Sequence, residues 1–150
     1  MLECKQFYLA GLLHDLGKLA IPSEILNKPY SLTKEEFDLI RQHPYYSHSI
    51  LEHVEGFEKI AVWAGTHHET LDEKGYPYKL KGSDIDLGSH IIAVADVFSS
   101  LIEDRPYRKG MSLIEAFDII EDMVKNLKLD VNVVKEAKKN QNAIFKLIKK

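Results

Sequence analysis

Two adjacent histidines, His67-His68, and an adjacent histidine–aspartate pair, His14-Asp15, are the residues of this chain best suited to chemistry. Neighbouring helix positions point in different directions, so such pairs are hard to explain as packing. They make sense where several nitrogen and oxygen donors must reach more than one metal ion in a small volume. His43 and Asp96 extend the set to four imidazoles and two carboxylates. Asp96 stands in the otherwise apolar Ala93-Val94-Ala95-Asp96-Val97, where an unpaired buried charge would be costly and a cation would remove the cost. This donor mix, without thiolates, suits iron, manganese, nickel or zinc and disfavours a structural zinc site. Asp15, with two oxygens, is the natural shared ligand, because paired metals roughly 3.5–4 Å apart activate a water and clamp both oxygens of a phosphoryl displacement. Lys18, three residues on, could set a positive charge against the phosphate oxygens. The isolated His48, His53 and His90 read as surface or core structure.

The elements that must position these donors are helical. Leu2, Leu9, Leu12, Leu13 and Leu16 recur at helical spacing, which predicts a helix over about 2–16 ending near Gly17. Pro22 and Pro29 bracket a loop and turn around Ile25-Leu26. Thr33 with Glu36 has the form of a capping box, opening a helix to about His43, where Pro44 interrupts or bends it. Helices over about 45–54 and 57–68 follow. The stretch 69–84, with Gly75, Pro77 and Gly82, reads as a loop. A long helix over about 86–103 carries Leu87, Ile91, Val94, Phe98 and Leu101 on one face. Asp104-Arg105-Pro106 stops it. Ser112 with Glu115 gives a second capping box, for a helix to about Asn126, and the Lys-rich tail 131–150 is helical by pattern. The expected fold class is all-α, one helical bundle over residues 1–150, with the donors falling at helix ends.

Composition narrows the setting. The 150 residues are 45% hydrophobic and 29% charged, ordinary for a globular domain with a real core. A net charge of −3 gives no general basic surface for a nucleic-acid polymer. The single Cys4 rules out an internal disulfide and fits a reducing, cytoplasmic setting. No apolar run approaches the roughly 20 residues of a membrane span, and the N-terminus lacks the layout of a secretory signal.

His14-Asp15-Leu16-Gly17-Lys18 resembles the HD motif of the HD-domain metal-dependent phosphohydrolases. His67-His68-Glu69 through Gly75-Tyr76-Pro77 resembles the second motif of their HD-GYP subfamily. Supporting matches include Ile21-Pro22, Leu32-Thr33-Lys34-Glu35-Glu36, His43-Pro44, Ala95-Asp96-Val97-Phe98 and Arg105-Pro106-Tyr107-Arg108, so the likeness covers about residues 8–120. It implies a helical HD-domain bundle with a Gly-Tyr-Pro loop and C-terminal helices. It implies two or three divalent metal ions, often iron or manganese, with zinc, nickel or magnesium as further candidates. The implied reaction is hydrolysis of a cyclic dinucleotide, the bacterial signalling molecule cyclic di-GMP, to pGpG and in some members to GMP. By resemblance His14, Asp15, His43, His67, His68 and Asp96 are the metal ligands, and Asp15 and Lys18 are catalytic. Lys18, Tyr76, Arg105 and Arg108 are the implied substrate contacts; arginine's planar fork suits a phosphate or a guanine.

The chain also departs from the family pattern. Only 13 residues precede His14 and none is a histidine, so the first family helix, which usually bears a further ligand, is read as missing. Thr70 stands where arginine is common, Asp72-Glu73-Lys74 replaces an Asp-Gly stretch, and Ser99 and Ser47 take positions usual for aspartate and glycine. These departures give the alternative reading: a degenerate domain that binds cyclic di-GMP or a signalling partner without turnover. A bundle short of one helix exposes apolar surface, which predicts a homodimer or a docked upstream sensory domain.

Overall fold

The computed structural model of the protein describes residues 2–104 and 108–148, and its architecture is all-α. Helix α1 (Leu2–Leu13) stops short of His14, and the chain passes through Asp15 into a 3₁₀ turn, Leu16–Ala20. The sequence pattern predicts one continuous helix here; instead the HD pair sits at the break. A short helix α2 (Ser23–Leu26) forms between the two prolines, where a loop was expected. Helix α3 (Lys34–Ile40) begins on the expected capping box, with the Thr33 hydroxyl accepting from Glu36 and the Glu36 carboxylate accepting from the Thr33 amide. Pro44 does not bend that helix. It lies in the first turn of α4 (His43–Leu51), where its missing N–H costs nothing.

Helix α5 (Glu58–Thr66) leads to His67 as its C-cap residue. After the loop and a 3₁₀ turn at Gly82–Asp84 comes α6 (Leu87–Ile102), whose N-cap, Asp86, accepts from the amide of Gly88 and from Nε1 of Trp63. Helix α7 (Leu113–Lys125) starts on the second capping box. The tail is two helices, α8 (Val131–Lys139) and α9 (Gln141–Ile148), divided at Asn140, whose side chain turns back to the Glu136 carbonyl.

Two apolar cores meet on α6. On one side Ala10, Leu51, Ile60, Trp63, Ala64 and Ile92 join α1, α4, α5 and α6, with Phe7 stacked on Trp63 at 4.4 Å between ring centroids. On the other, Val94, Phe98, Ile102, Phe117, Ile120 and Val134 join α6 to α7 and α8. Among the described residues no helix is long and apolar enough to cross a membrane. The first core packs α1, α4, α5 and the middle of α6 together around one space.

Candidate metal centre and substrate cleft

The last carbonyls of an α-helix have no partner within the helix. Here three of them are taken by histidines. Nδ1 of His14 lies 2.8 Å from the Gly11 carbonyl, Nδ1 of His43 is 2.8 Å from the Ile40 carbonyl, and Nδ1 of His67 is 2.8 Å from the Ala64 carbonyl. A carbonyl can only accept, so each imidazole carries its proton on Nδ1 and turns Nε2 the other way. All three Nε2 atoms are buried without a hydrogen-bond partner among the described residues. Such a second-sphere carbonyl fixes the tautomer and ring orientation of a metal-ligating histidine. His53 makes the same type of bond, to Ser49, but on the surface and apart from the others.

The orphaned nitrogens share one space. Donor atoms of His43, His67 and His68 lie within 4.8 Å of one another, and so do those of His14, His67 and Asp96. Asp15 spans the two groups: Oδ1 is 3.1 Å from Nε2 of His43, and Oδ2 is 3.4 Å from Nε2 of His14. Asp96 Oδ1 lies 3.6 Å from the same His14 nitrogen. An imidazole lone pair facing a carboxylate oxygen at such distances is repulsive unless a proton or a metal cation lies between. The buried, tautomer-fixed donors therefore fit metal ions, and they are borderline and hard in the mix that iron, manganese or zinc accept.

The protonation states agree with that geometry. Burial disfavours the His14 imidazolium, but the Asp15 and Asp96 carboxylates outweigh it and raise its pKa to about 10. Burial also opposes ionisation of Asp15, yet His14, His43 and Lys18 hold it below the usual carboxylate range. Asp96 is likewise lowered, burial notwithstanding, by His14. Burial, then His43, brings His68 down to about 3, and burial with the neighbouring His68 keeps His67 well below an ordinary histidine. His67 and His68 thus stand neutral, with lone pairs ready for a metal, while His14 bears a proton that a metal would displace. Lys18 Nζ lies 2.6 Å from Asp15 Oδ2.

Two contacts hold the HD turn and the Gly-Tyr-Pro loop in place. Ser47 Oγ, fully buried on α4, accepts from the Gly17 amide at 2.8 Å and donates to the His14 carbonyl at 2.7 Å. Gly17 is obligatory at this approach, since a Cβ there would lie 2.0 Å from the His43 carbonyl oxygen. In the loop, the buried carboxylate of Glu69 accepts from the amides of Tyr78 and Lys79 through Oε1, at 2.7 and 3.1 Å, and of Leu80 through Oε2, at 3.0 Å. Gly75 passes so close to the backbone of 68–70 that a Cβ would stand 2.4 Å from Glu69 Cα. The result lays the Tyr76 ring beside His68, centroids 4.7 Å apart, and burial pushes its phenol up to about 12, so it stays a neutral hydroxyl.

The six expected ligands, Lys18 and Tyr76 are therefore brought together. Arg108 is placed otherwise: its guanidinium donates to the carbonyls of Ser100 and Leu101 at the end of α6, at 2.7 and 3.2 Å. Arg105 lies outside the described residues. Thr70 and Asp72, read above as departures, bond to each other, and Asp72 pairs with Lys128 at 2.7 Å, anchoring the loop to the α7–α8 turn. Ser99 faces a groove between α6, α8 and α9. The structural roles of Glu69 and Ser47 and the position of Arg41 were not foreseen. Arg41 lies over Tyr76, its Cζ 4.8 Å from the ring centroid.

An all-helical frame brings imidazoles and carboxylates to a common space that could hold metal ions. Residues 2–133 match the HD domain family, and the chain belongs to it. It is 45% identical over 143 residues to the 3'3'-cGAMP-specific phosphodiesterase 1 of Vibrio cholerae, an alignment covering 95% of this chain and 33% of that protein. It is 44% identical over 109 residues to a cyclic di-GMP phosphodiesterase of Pseudomonas aeruginosa, covering 72% of this chain and 26% of that protein. A cyclic di-GMP phosphodiesterase of Thermotoga maritima is 41% identical over 120 residues, covering 79% and 33%. The likeness is of the HD-GYP type. The chain spans a third or less of the length of these relatives.

Proposed function

We propose that this chain is the catalytic domain of a metal-dependent phosphodiesterase that opens a cyclic dinucleotide such as cyclic di-GMP, giving pGpG or GMP. The observation that carries this reading is the set of three buried Nε2 atoms without partners, those of His14 and His43 facing Asp15 and that of His67 shared by the two donor groups. An imidazole nitrogen has one lone pair, so His67 can complete only one of the two donor groups it belongs to. With His43, His68 and Asp15 it would hold one ion, and His14 and Asp96 with Asp15 would hold the second. Iron or manganese suits both sets, and the second, with fewer nitrogens, would be the weaker.

The ions, when bound, supply an acidified water and polarise the phosphate oxygens. The residues do the rest. Asp15 keeps the two halves in register, Lys18 sets its ammonium against the charge that grows on the phosphate, and Tyr76 walls the site with a neutral hydroxyl. We also infer, as expected from the sequence, that Arg105 and Arg108 reach the substrate; for Arg108 this requires leaving the carbonyls of Ser100 and Leu101. A second messenger as substrate would place the protein in the cytoplasm.

The test is incubation of metal-loaded protein with cyclic di-GMP and 3'3'-cGAMP, with products separated by chromatography. Linear dinucleotide or mononucleotide, lost on chelation and reduced in Lys18→Ala at normal metal content, supports the reading. Binding without product at full metal loading overturns it in favour of a non-catalytic module.

A further inference from the structure

We propose that Arg41 is a substrate-recognition residue whose guanidinium fork takes a pair of acceptor atoms on the part of a cyclic dinucleotide beyond the scissile phosphate. The inference rests on the reading of the site given above and names which further side chain confers specificity there. Arg41 caps the end of α3 two residues before His43 opens α4, so the junction of the two helices carries both a proposed metal ligand and a cation. Its Cζ lies 4.8 Å from the centroid of Tyr76 and 5.5 Å from that of Phe37. The Tyr76 ring in turn packs 4.7 Å from His68 and 6.5 Å from His43. A single aromatic ring thus separates the guanidinium from the metal ligands.

No hydrogen bond to the fork is made within the described residues; it is held by a long ion pair to Asp38 and by the two rings. Arg41 Nε is buried without a partner, and the Asp38 carboxylate stands 3.9 Å from Nη1, beyond hydrogen-bond distance. Together with Asp38, Gln42, Gly75, Tyr76, Pro77 and Lys79 it lines a cleft of about 270 Å³. That is below the ~300–1,000 Å³ typical of pockets for whole drug-sized ligands, so the cleft suits one portion of a dinucleotide. A guanidinium already stacked on two rings loses little freedom on binding, and its parallel N–H groups match two adjacent acceptors. A cyclic dinucleotide offers such pairs in the oxygens of its second phosphate and in O6 and N7 of guanine.

Titration of the metal-loaded chain with cyclic di-GMP, 3'3'-cGAMP and cyclic di-AMP tests the assignment by affinity, so it does not depend on turnover. Arg41→Ala should weaken cyclic di-GMP binding about 10- to 100-fold, the range for a charge-assisted hydrogen bond, with metal content at the wild-type level. Arg41→Lys should recover only a small part of that loss, because the charge returns without the fork. A loss confined to the guanine-bearing ligands assigns the fork to the base edge, and an equal loss for all three assigns it to the second phosphate. Wild-type affinity in Arg41→Ala, or full recovery in Arg41→Lys, overturns the inference while leaving the phosphodiesterase reading intact. Affinity without hydrolysis by the wild type overturns that reading alone, and no dinucleotide binding by the wild type overturns both.

Discussion

At the metal centre each of three imidazoles is fixed by a carbonyl one turn back in its own helix or the preceding one, whereas the Gly-Tyr-Pro loop is fixed by a carboxylate, Glu69, that spans to Leu80. The first arrangement is local and repeated. It survives wherever the helix ends are packed, and the core around Trp63 and Leu51 packs them. The second is singular, and it straps the residues just after Tyr76, whose own amide donates to the His68 carbonyl at 3.2 Å. The difference teaches that the donor cluster and the placement of Tyr76 rest on separate contacts, one on helix termini and the other on a strapped loop.

The largest effect is expected at His67, whose Nε2 lies in both donor groups. His67→Ala should lower metal affinity by more than about 100-fold, beyond the loss usual for second-sphere changes, with hydrolysis falling in parallel. Metal titration checks it, and unchanged stoichiometry would contradict the assignment. Glu69→Gln acts on the other region. It turns an N–H toward backbone amides that need an acceptor, at a cost of about 1–3 kcal/mol. Amide exchange at Tyr78, Lys79 and Leu80 should quicken while metal stays bound. Loss of metal alongside the quickened exchange would mean that the two regions are not separable.

Ser47→Ala probes the join between the HD turn and α4. Removing a buried hydroxyl that serves the Gly17 amide and the His14 carbonyl should cost about 1–3 kcal/mol, seen as a Tm lower by several degrees. The smallest effect concerns the loop's outer anchor. Lys128, and then Thr70, hold Asp72 down to about 2, against an ordinary value near 4 in the unfolded chain. A carboxylate lowered in the folded state stabilises it above the unfolded value, and that contribution disappears as pH falls from about 4 through about 2. Thermal melts of wild type and Asp72→Asn should therefore differ at pH 6 and converge toward pH 2.

The metal half of the site was legible in the sequence because ligand chemistry is written in residue type: few reasons other than metal place His-His and His-Asp pairs with His43 and Asp96. The capping boxes at Thr33 and Ser112 were equally legible, since both partners are local. What escaped depends on contacts distant along the chain. The break after Leu13 follows from packing the HD turn on α4 through Ser47, 33 residues from His14. The role of Glu69 needs the loop already folded back on it. Arg41 carries no motif of its own, and only Tyr76, brought over from the loop, marks it as a cleft residue. Thr70 and Asp72 looked like lost ligand contacts in the sequence, yet they anchor the loop through Lys128.

On the proposed function, imidazoles at helix ends and a shared Asp15 would hold a pair of ions. Elemental analysis of iron- or manganese-reconstituted protein, wild type beside Asp15→Ala, tests it most directly. Wild type should hold about two ions per chain and the variant less than one, because a ligand shared by both sites is removed. Full occupancy in Asp15→Ala, or no metal in the wild type, would contradict it.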